Sequence, residues 1–139
     1  MTSQADGVGV INLLASYAQT CDDDRFDEFE ALFVDDAVMV VAGTTLTGAN
    51  AIRTFVQEQQ EAGLRGKHLI GNVLAAIDGE FAEVSSDFFF FQWIDRRLQV
   101  ARCGRYLDVL RLERGAWRFV RHEVTFMPRA TATPAVAAT

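Results

Sequence analysis

Cysteine, histidine and proline are scarce in this sequence of 139 residues, which has two of each. Cys21 and Cys103 form no CxxC pair or other metal-ligand spacing, so we expect two free thiols, although a disulfide between them stays open. No apolar run is long enough to cross a membrane, and the first ten residues lack the pattern of a secretory signal. A chain of this length can bury a core without metals or disulfides. We therefore expect one soluble, cytoplasmic domain.

The charge of the chain also excludes classes of partner. The formal net charge is −6 and is spread along the sequence without a basic stripe. Nucleic acids and anionic membrane surfaces are therefore not expected as partners. Hydrophobic residues make up 50% of the chain and eleven residues are phenylalanine, which is enough for both a core and a lined cavity.

Helical periodicity is confined to the first half of the chain. Residues 8–20 have one apolar face, and the aspartates at 22–24 then interrupt the pattern and favour the start of a short second helix whose apolar residues extend to Phe33. Residues 38–42 predict a strand, and a turn at 43–45 leads into a return strand that ends near Thr47. A third helix is predicted after Gly48, ending near Gly63.

The second half of the chain has only strand patterns. They cover residues 68–77, 81–94, 100–112 and 117–126, and the turns Asp78-Gly79 and Arg114-Gly115 separate them. Helices followed by long antiparallel strands predict the α+β class, with the helices on one face of the sheet. We expect one domain over residues 1–127 and a flexible tail over 128–139.

Four consecutive phenylalanines, Phe88 to Phe91, fall within one predicted strand. Neighbouring side chains of a strand point to opposite faces, so both faces of the sheet receive large apolar groups. The helices or a cavity can cover one face. We expect a homodimer to cover the other, unless the sheet curls enough to bury both faces alone.

His68 and His122 are the only histidines, and hence the main candidates for a general base. Strand alternation places His68 on one face with residues 70, 72, 74 and 76, and a histidine on such a largely apolar face is more often a core residue than a catalyst. Asp22 favours catalysis, because a carboxylate that accepts a proton from one imidazole nitrogen fixes the tautomer of the ring. Tyr17 lies about one helical turn before Asp22 and is either a donor in the same pocket or a core aromatic.

These residues occur in an order that resembles the SnoaL-like proteins of the nuclear-transport-factor-two-like superfamily. The likeness covers nearly the whole domain, and its motifs are Tyr17 to Asp22, Phe26…Phe29…Leu32-Phe33…Asp36-Ala37, Gly48…Ala51-Ile52, His68…Asn72, Asp78-Gly79…Ala82, Gly104…Tyr106…Asp108 and Trp117-Arg118-Phe119. The resemblance implies a cone-shaped domain in which N-terminal helices pack on a strongly curved, antiparallel or mixed sheet that encloses an apolar pocket. In this resemblance, Asp108 is one of the strand residues of the family.

By motif the sequence is most similar to the group of hexachlorocyclohexane dehydrochlorinase, scytalone dehydratase and bile-acid 7α-dehydratase. In that group an Asp–His pair removes a proton from a carbon next to a leaving group, and Asp22 and His68 match the pair. Tyr17 matches the catalytic tyrosine of the dehydratases, and Asn72 keeps the spacing after the histidine. His122 stands where the dehydrochlorinase has an arginine, which favours loss of water, or isomerisation, over loss of halide.

The resemblance implies a lyase or isomerase that uses neither cofactor nor metal and acts on a small hydrophobic metabolite, such as a polyketide, terpenoid, steroid or aromatic intermediate. His68 is then the general base and Asp22 its orienter. Tyr17 and His122 are the polar groups at the leaving oxygen. Expected substrate contacts are Phe55, Asn72, Phe88, Phe90 and Tyr106. The alternative is a non-catalytic small-molecule-binding or subunit-assembly domain, because many chains of this fold have no enzymatic role.

Overall fold

The computed structural model describes residues 4–128, which form three helices and six strands. The helices are α1 (Gln4–Asp22), α2 (Phe26–Glu30) and α3 (Ala49–Glu61). The strands are β1 (Phe33–Val41), β2 (Thr44–Thr47), β3 (Lys67–Asp78), β4 (Phe81–Ile94), β5 (Arg97–Glu113) and β6 (Ala116–Phe126). Of the tail predicted from 128 onward, all but Pro128 lies outside the described residues. None of these three helices is long and apolar enough to cross a membrane.

All six strands join one mixed sheet in the order β2-β1-β6-β5-β4-β3. β1 and β6 are parallel, and every other pair is antiparallel. The helices pack on one face, and the core between the two layers includes the fully buried side chains Val10, Phe29, Phe33, Val34, Ile52, Leu110 and Phe119. The predicted α+β class is therefore confirmed, and the sheet stays open rather than closing into a barrel.

Most predicted elements lie where the structure has them, and two differences have clear physical causes. β1 begins at Phe33 rather than at residue 38, because Phe33, Val34 and Ala37 enter the core as part of the strand. The apolar spacing predicts a second helix that extends to Phe33, whereas α2 ends at Glu30. β5 begins at Arg97 rather than at residue 100, since Asp95 and Arg96 take φ values of 50° and 63° and form a tight turn without glycine.

Part-way along β3, the alternation of inward-facing and outward-facing side chains shifts by one residue. His68 and Ile70 lie opposite Phe90 and Phe88 of β4, whose side chains are buried on the inner face. The register then shifts between Gly71 and Leu74, where Asn72 has a φ of 50°. A bulge moves every later side chain of a strand to the other face. The expectation that residues 72, 74 and 76 share the face of His68 is therefore wrong.

The four phenylalanines of β4 alternate between the two faces of the sheet, as their spacing predicts. Phe88 and Phe90 are buried against the helices at 3% and 4% exposure. Phe89 is 42% exposed on the opposite face, beside the partly buried Phe91. The outer face of the sheet is therefore aromatic.

Candidate active site

His68 and Asp22 form a two-point contact at the junction of α1 and β3. Asp22 is the last residue of α1, and His68 is the second residue of β3. The His68 ring Nδ1 lies 2.6 Å from Oδ1 of Asp22, and the His68 backbone N–H donates to Oδ2 of the same carboxylate at 2.8 Å. The side chains are only 14% and 6% exposed. The hydrogen bond expected from the sequence is thus confirmed.

This contact fixes the protonation pattern of the imidazole. An ionised carboxylate only accepts hydrogen bonds, so Nδ1 of His68 must carry the proton that is shared with Asp22. In the neutral ring, Nε2 then has the free lone pair. The backbone bond to Oδ2 holds the carboxylate from its second oxygen, so the ring and its partner have little freedom to reorient.

His68 lines a cavity of about 100 Å³ between the helices and the sheet, called here the His68 pocket. A larger hollow of about 520 Å³ along Leu74, Leu107 and Arg121 lies elsewhere and does not include His68. The His68 pocket is mostly apolar and aromatic. Its lining is Tyr17, Cys21, Met39, Val41, Phe55, Val56, Gln59, Gln60, Leu64, His68, Phe88, Phe90, Arg102, Tyr106, Val124 and Phe126.

The structure thus brings Tyr17, Phe55, Phe88, Phe90 and Tyr106 together with His68, as the sequence predicts. It places Asn72 elsewhere: its side chain is exposed beyond the bulge of β3, and its amide donates to Oδ2 of Asp87 at 2.8 Å.

Tyr17 and Tyr106 form the polar part of the aromatic wall. Their ring centroids are 5.7 Å apart, and the Tyr17 ring meets the His68 ring edge-on at 6.2 Å. Tyr106 stacks on Phe88 at 4.3 Å with an interplanar angle of 7°. Burial raises the pKa of both phenols well above the ordinary value, and neighbouring acidic groups add to the effect. Both hydroxyl groups therefore stay protonated and can donate hydrogen bonds.

A second histidine–carboxylate pair lies behind this wall. His122 Nδ1 is 2.5 Å from Oδ1 of Asp108, and the two side chains are 1% and 0% exposed. The ring of His122 packs against Tyr106 at 4.5 Å and Tyr17 at 4.8 Å, and it is not part of the pocket lining. Among the described residues, His122 Nε2 and Asp108 Oδ2 have no hydrogen-bond partner. His122 is therefore placed to support the tyrosines from behind.

Asp108 was not predicted as a functional residue, although the sequence contains a pattern that indicates its burial. Strand alternation puts Asp108 on the same face as Tyr106 and Leu110, and those residues are buried. A carboxylate on such a face needs a partner, because burial of an unpaired charge is strongly unfavourable. The scarce histidines were the obvious candidates, and His122 lies directly opposite Asp108 in the β5–β6 ladder.

Two further polar groups at the His68 pocket were also missed. Gln60 of α3 is buried, and its Nε2 donates to the Cys21 carbonyl at 2.5 Å, which leaves Oε1 without a partner among the described residues. Its Nε2 also lies 3.4 Å from the Cys21 sulfur. Burial, with the neighbouring charge of Asp22, raises the pKa of the Cys21 thiol to about 12, so the thiol is protonated and unreactive at neutral pH.

Cys21, Asp22 and His68 are also the one group in residues 4–128 whose ligand atoms lie close enough to share a metal ion, within 4.8 Å of one another. The arrangement fits a hydrogen-bonded pair better than a metal centre. His68 Nδ1 and Asp22 Oδ1 bind each other directly, at 2.6 Å.

The comparison with known proteins agrees with this architecture. The sequence profile of the SnoaL-like domain matches residues 4–123. The chain belongs to the SnoaL-like domain family. No curated protein matches it at a significant level.

Solved structures share the fold at low sequence identity. A protein of unknown function from Mycobacterium tuberculosis has a TM-score of 0.87 and 22% identity, over 97% of this chain and 84% of that one. A proposed scytalone dehydratase from Novosphingobium aromaticivorans has a TM-score of 0.78 and 20% identity, over 98% and 96%. The beta subunit of a proposed aromatic-ring-hydroxylating dioxygenase from the same organism has a TM-score of 0.75 and 21% identity, over 94% and 95%. These likenesses establish the fold of this SnoaL-like protein.

Proposed function

We propose that this SnoaL-like protein is a lyase or isomerase of the dehydratase type, which acts on a small, largely apolar molecule without a cofactor. The observation that carries the proposal is the two-point contact of Asp22 with His68 at the wall of an aromatic pocket. His122 also has a buried carboxylate partner, but His68 differs from it because the His68 ring lines the pocket and Asp22 holds the His68 backbone as well. The similarity in fold to a proposed scytalone dehydratase supports the same class of reaction.

In the proposed elimination, Nε2 of His68 removes a proton from a carbon next to a carbonyl group of the substrate. The electron pair of that C–H bond forms a carbon–carbon double bond as the bond to the departing oxygen breaks. Asp22 stabilises the imidazolium that forms, because its carboxylate stays within 2.6 Å of Nδ1. In the apolar pocket this charge stabilisation is stronger than it is in water.

The departing hydroxide needs a proton to leave as water. The Tyr17 hydroxyl is the candidate donor, because it lines the pocket beside His68 and burial keeps it protonated. His68 returns its proton to the phenolate, which restores both groups. If the proton returns to another carbon instead, the same residues catalyse an isomerisation. Gln60 Oε1, a buried acceptor at the wall, can orient a substrate hydroxyl.

The proposal can be tested with a panel of small β-hydroxy ketones that have aromatic or alicyclic bodies. Elimination gives a conjugated enone, whose ultraviolet absorbance reports turnover directly. We expect turnover by the wild-type protein for at least one member and its loss in His68→Gln. The variant Gln57→Ala, on the exposed side of α3, is the matched control. Absence of turnover for the whole panel, with binding of its members retained, would favour the non-catalytic binding domain.

We also propose that the protein is a homodimer through the outer face of the sheet. Leu69, Phe89, Trp93, Leu98 and Leu107 from β3, β4 and β5 are between 42% and 74% exposed there. Several large apolar side chains exposed on one face are typical of an interface. Light scattering should report a dimer, and Phe89→Glu should shift it to monomer. Val8→Glu, at an exposed apolar position of α1, should leave it a dimer. A monomeric wild-type protein at micromolar concentration would refute the proposal.

A further inference from the structure

Among the residues that the structure describes, Arg102 is the one arginine or lysine in the lining of the His68 pocket. In the ladders of the sheet it lies directly opposite Phe90, which itself lies directly opposite His68. Directly opposed residues of neighbouring strands share a face, so these three side chains form a row on the inner face. No pattern in the sequence singles out Arg102.

The geometry of this row sets the distance between the two polar ends. The His68 ring is 4.6 Å from the Phe90 ring centroid, and the Arg102 guanidinium carbon is 5.2 Å from the same centroid. The guanidinium and the imidazole are thus less than about 10 Å apart, as two strand spacings require. A molecule with a single ring spans that distance with one end at each group.

Within residues 4–128, the guanidinium of Arg102 has no carboxylate partner. It forms no hydrogen bond or ion pair with any of residues 4–128, and its contacts there are with the rings of Phe90 and Phe126, at 5.2 and 6.0 Å. The chain is acidic, with 19 Asp and Glu against 13 Lys and Arg. Six other arginines do pair with carboxylates: Arg25, Arg53, Arg65, Arg105, Arg111 and Arg121.

We propose that Arg102 binds a carboxylate group of the substrate, so that the substrate class is small aromatic or alicyclic acids. The inference rests on the proposed function, since it places the reacting carbon at His68. The planar guanidinium offers two parallel N–H donors that match the two oxygens of a carboxylate. The rings of Phe90 and Phe126 beside it hold the side chain in place, and the apolar surroundings strengthen the ion pair with a bound acid. The carboxylate then sits at the far end of the ring from the carbon that loses its proton.

Binding can test this inference without turnover. The probes are benzoate, cinnamate and cyclohexanecarboxylate, each paired with its neutral primary amide, and the method is isothermal titration calorimetry. The amides match the acids in shape but lack the charge. We expect at least one acid to bind the wild-type protein about tenfold or more tightly than its amide, the usual effect of a charge-assisted pair. Arg102→Gln should abolish that preference, and Arg102→Lys should restore part of it.

Arg97→Gln is the matched control, because it removes the same charge from the exposed start of the same strand. It should keep the full preference for acids. Equal binding of acids and amides, failure of every acid to bind at millimolar concentration, or a preference that survives Arg102→Gln would each overturn the inference. His68→Gln should retain the preference for acids. A selective pocket without turnover would therefore contradict the proposed function and leave the role of Arg102 intact.

Discussion

Replacement of Asp22 by asparagine should disable His68 while leaving the pocket in place. The carboxylate accepts two hydrogen bonds, one from the ring Nδ1–H of His68 and one from its backbone N–H. Asparagine keeps one acceptor oxygen and gains an NH₂ donor. The backbone N–H is always a donor, so it should take the remaining oxygen. The NH₂ group then faces Nδ1 and forces the ring proton to Nε2, the atom that must accept a proton from the substrate.

The size of the effect follows from two losses. A hydrogen bond to a charged group contributes about 1.5–3 kcal/mol, and the imidazolium of the reaction loses that interaction with Asp22. The wrong tautomer adds to the loss, and the same change in a serine-protease triad lowers kcat by about 10⁴. We expect turnover of Asp22→Asn to fall by about 10²–10⁴-fold, because a positioned general base contributes that much. The free energy of unfolding should fall by only about 1 kcal/mol, since the backbone N–H and the ring Nδ1 of His68 each keep a hydrogen-bond partner in the new side chain.

Nitrogen-15 NMR of the histidine ring checks the tautomer without a substrate. In the wild-type protein the proton should reside on Nδ1 of His68, and in Asp22→Asn it should reside on Nε2. Asp23→Asn is the control, because that carboxylate is exposed and its ion pair is with Arg25. An unchanged tautomer together with turnover within about threefold of wild type, a barrier change well under 1 kcal/mol, would refute this reasoning.

The remaining predictions concern the tyrosine wall, the second pair and the thiols. If the phenol protonates the leaving oxygen, Tyr17→Phe should lower turnover by about 10²-fold or more. If the phenol only positions the substrate, steady-state kinetics should show a change confined to KM. Asp108→Ala should lower the free energy of unfolding by about 1–3 kcal/mol in denaturant titration, because it leaves the fully buried ring N–H of His122 without an acceptor. A loss well below about 1 kcal/mol would contradict the importance of the pair. Iodoacetamide at pH 8 should modify the partly exposed Cys103 well before Cys21, as judged by mass spectrometry, and equal rates would contradict the burial of Cys21. Burial raises the pKa of the Cys21 thiol to about 12 in the folded state, against an ordinary value of 9.0 in the unfolded chain, so this group's contribution to stability should fall as pH rises through that range.

The fold and the first histidine pair were predictable because they depend on local patterns and on their order along the chain. The end of a helical stripe placed Asp22 near the interior, and the start of a strand placed His68 there. Asn72 was misplaced because a bulge inserts one residue without altering the apolar composition, so no alternation rule reveals it. Asp108 and Arg102 share the strand phase of Tyr106. Their importance depends on what lies opposite them in the sheet, namely His122 and Phe90. Strand pairing is a long-range property that one sequence does not display.

The central claim is that His68 acts as the base, and proton exchange tests it most directly. The measurement is the rate at which deuterium from heavy water enters the carbon next to the carbonyl group of a bound substrate or analogue, followed by NMR. Exchange catalysed by the wild-type protein should exceed that by His68→Gln about 10²–10⁴-fold, with Arg97→Gln equal to wild type. Exchange at the wild-type rate in a folded His68→Gln protein would contradict the account and assign the base to another residue.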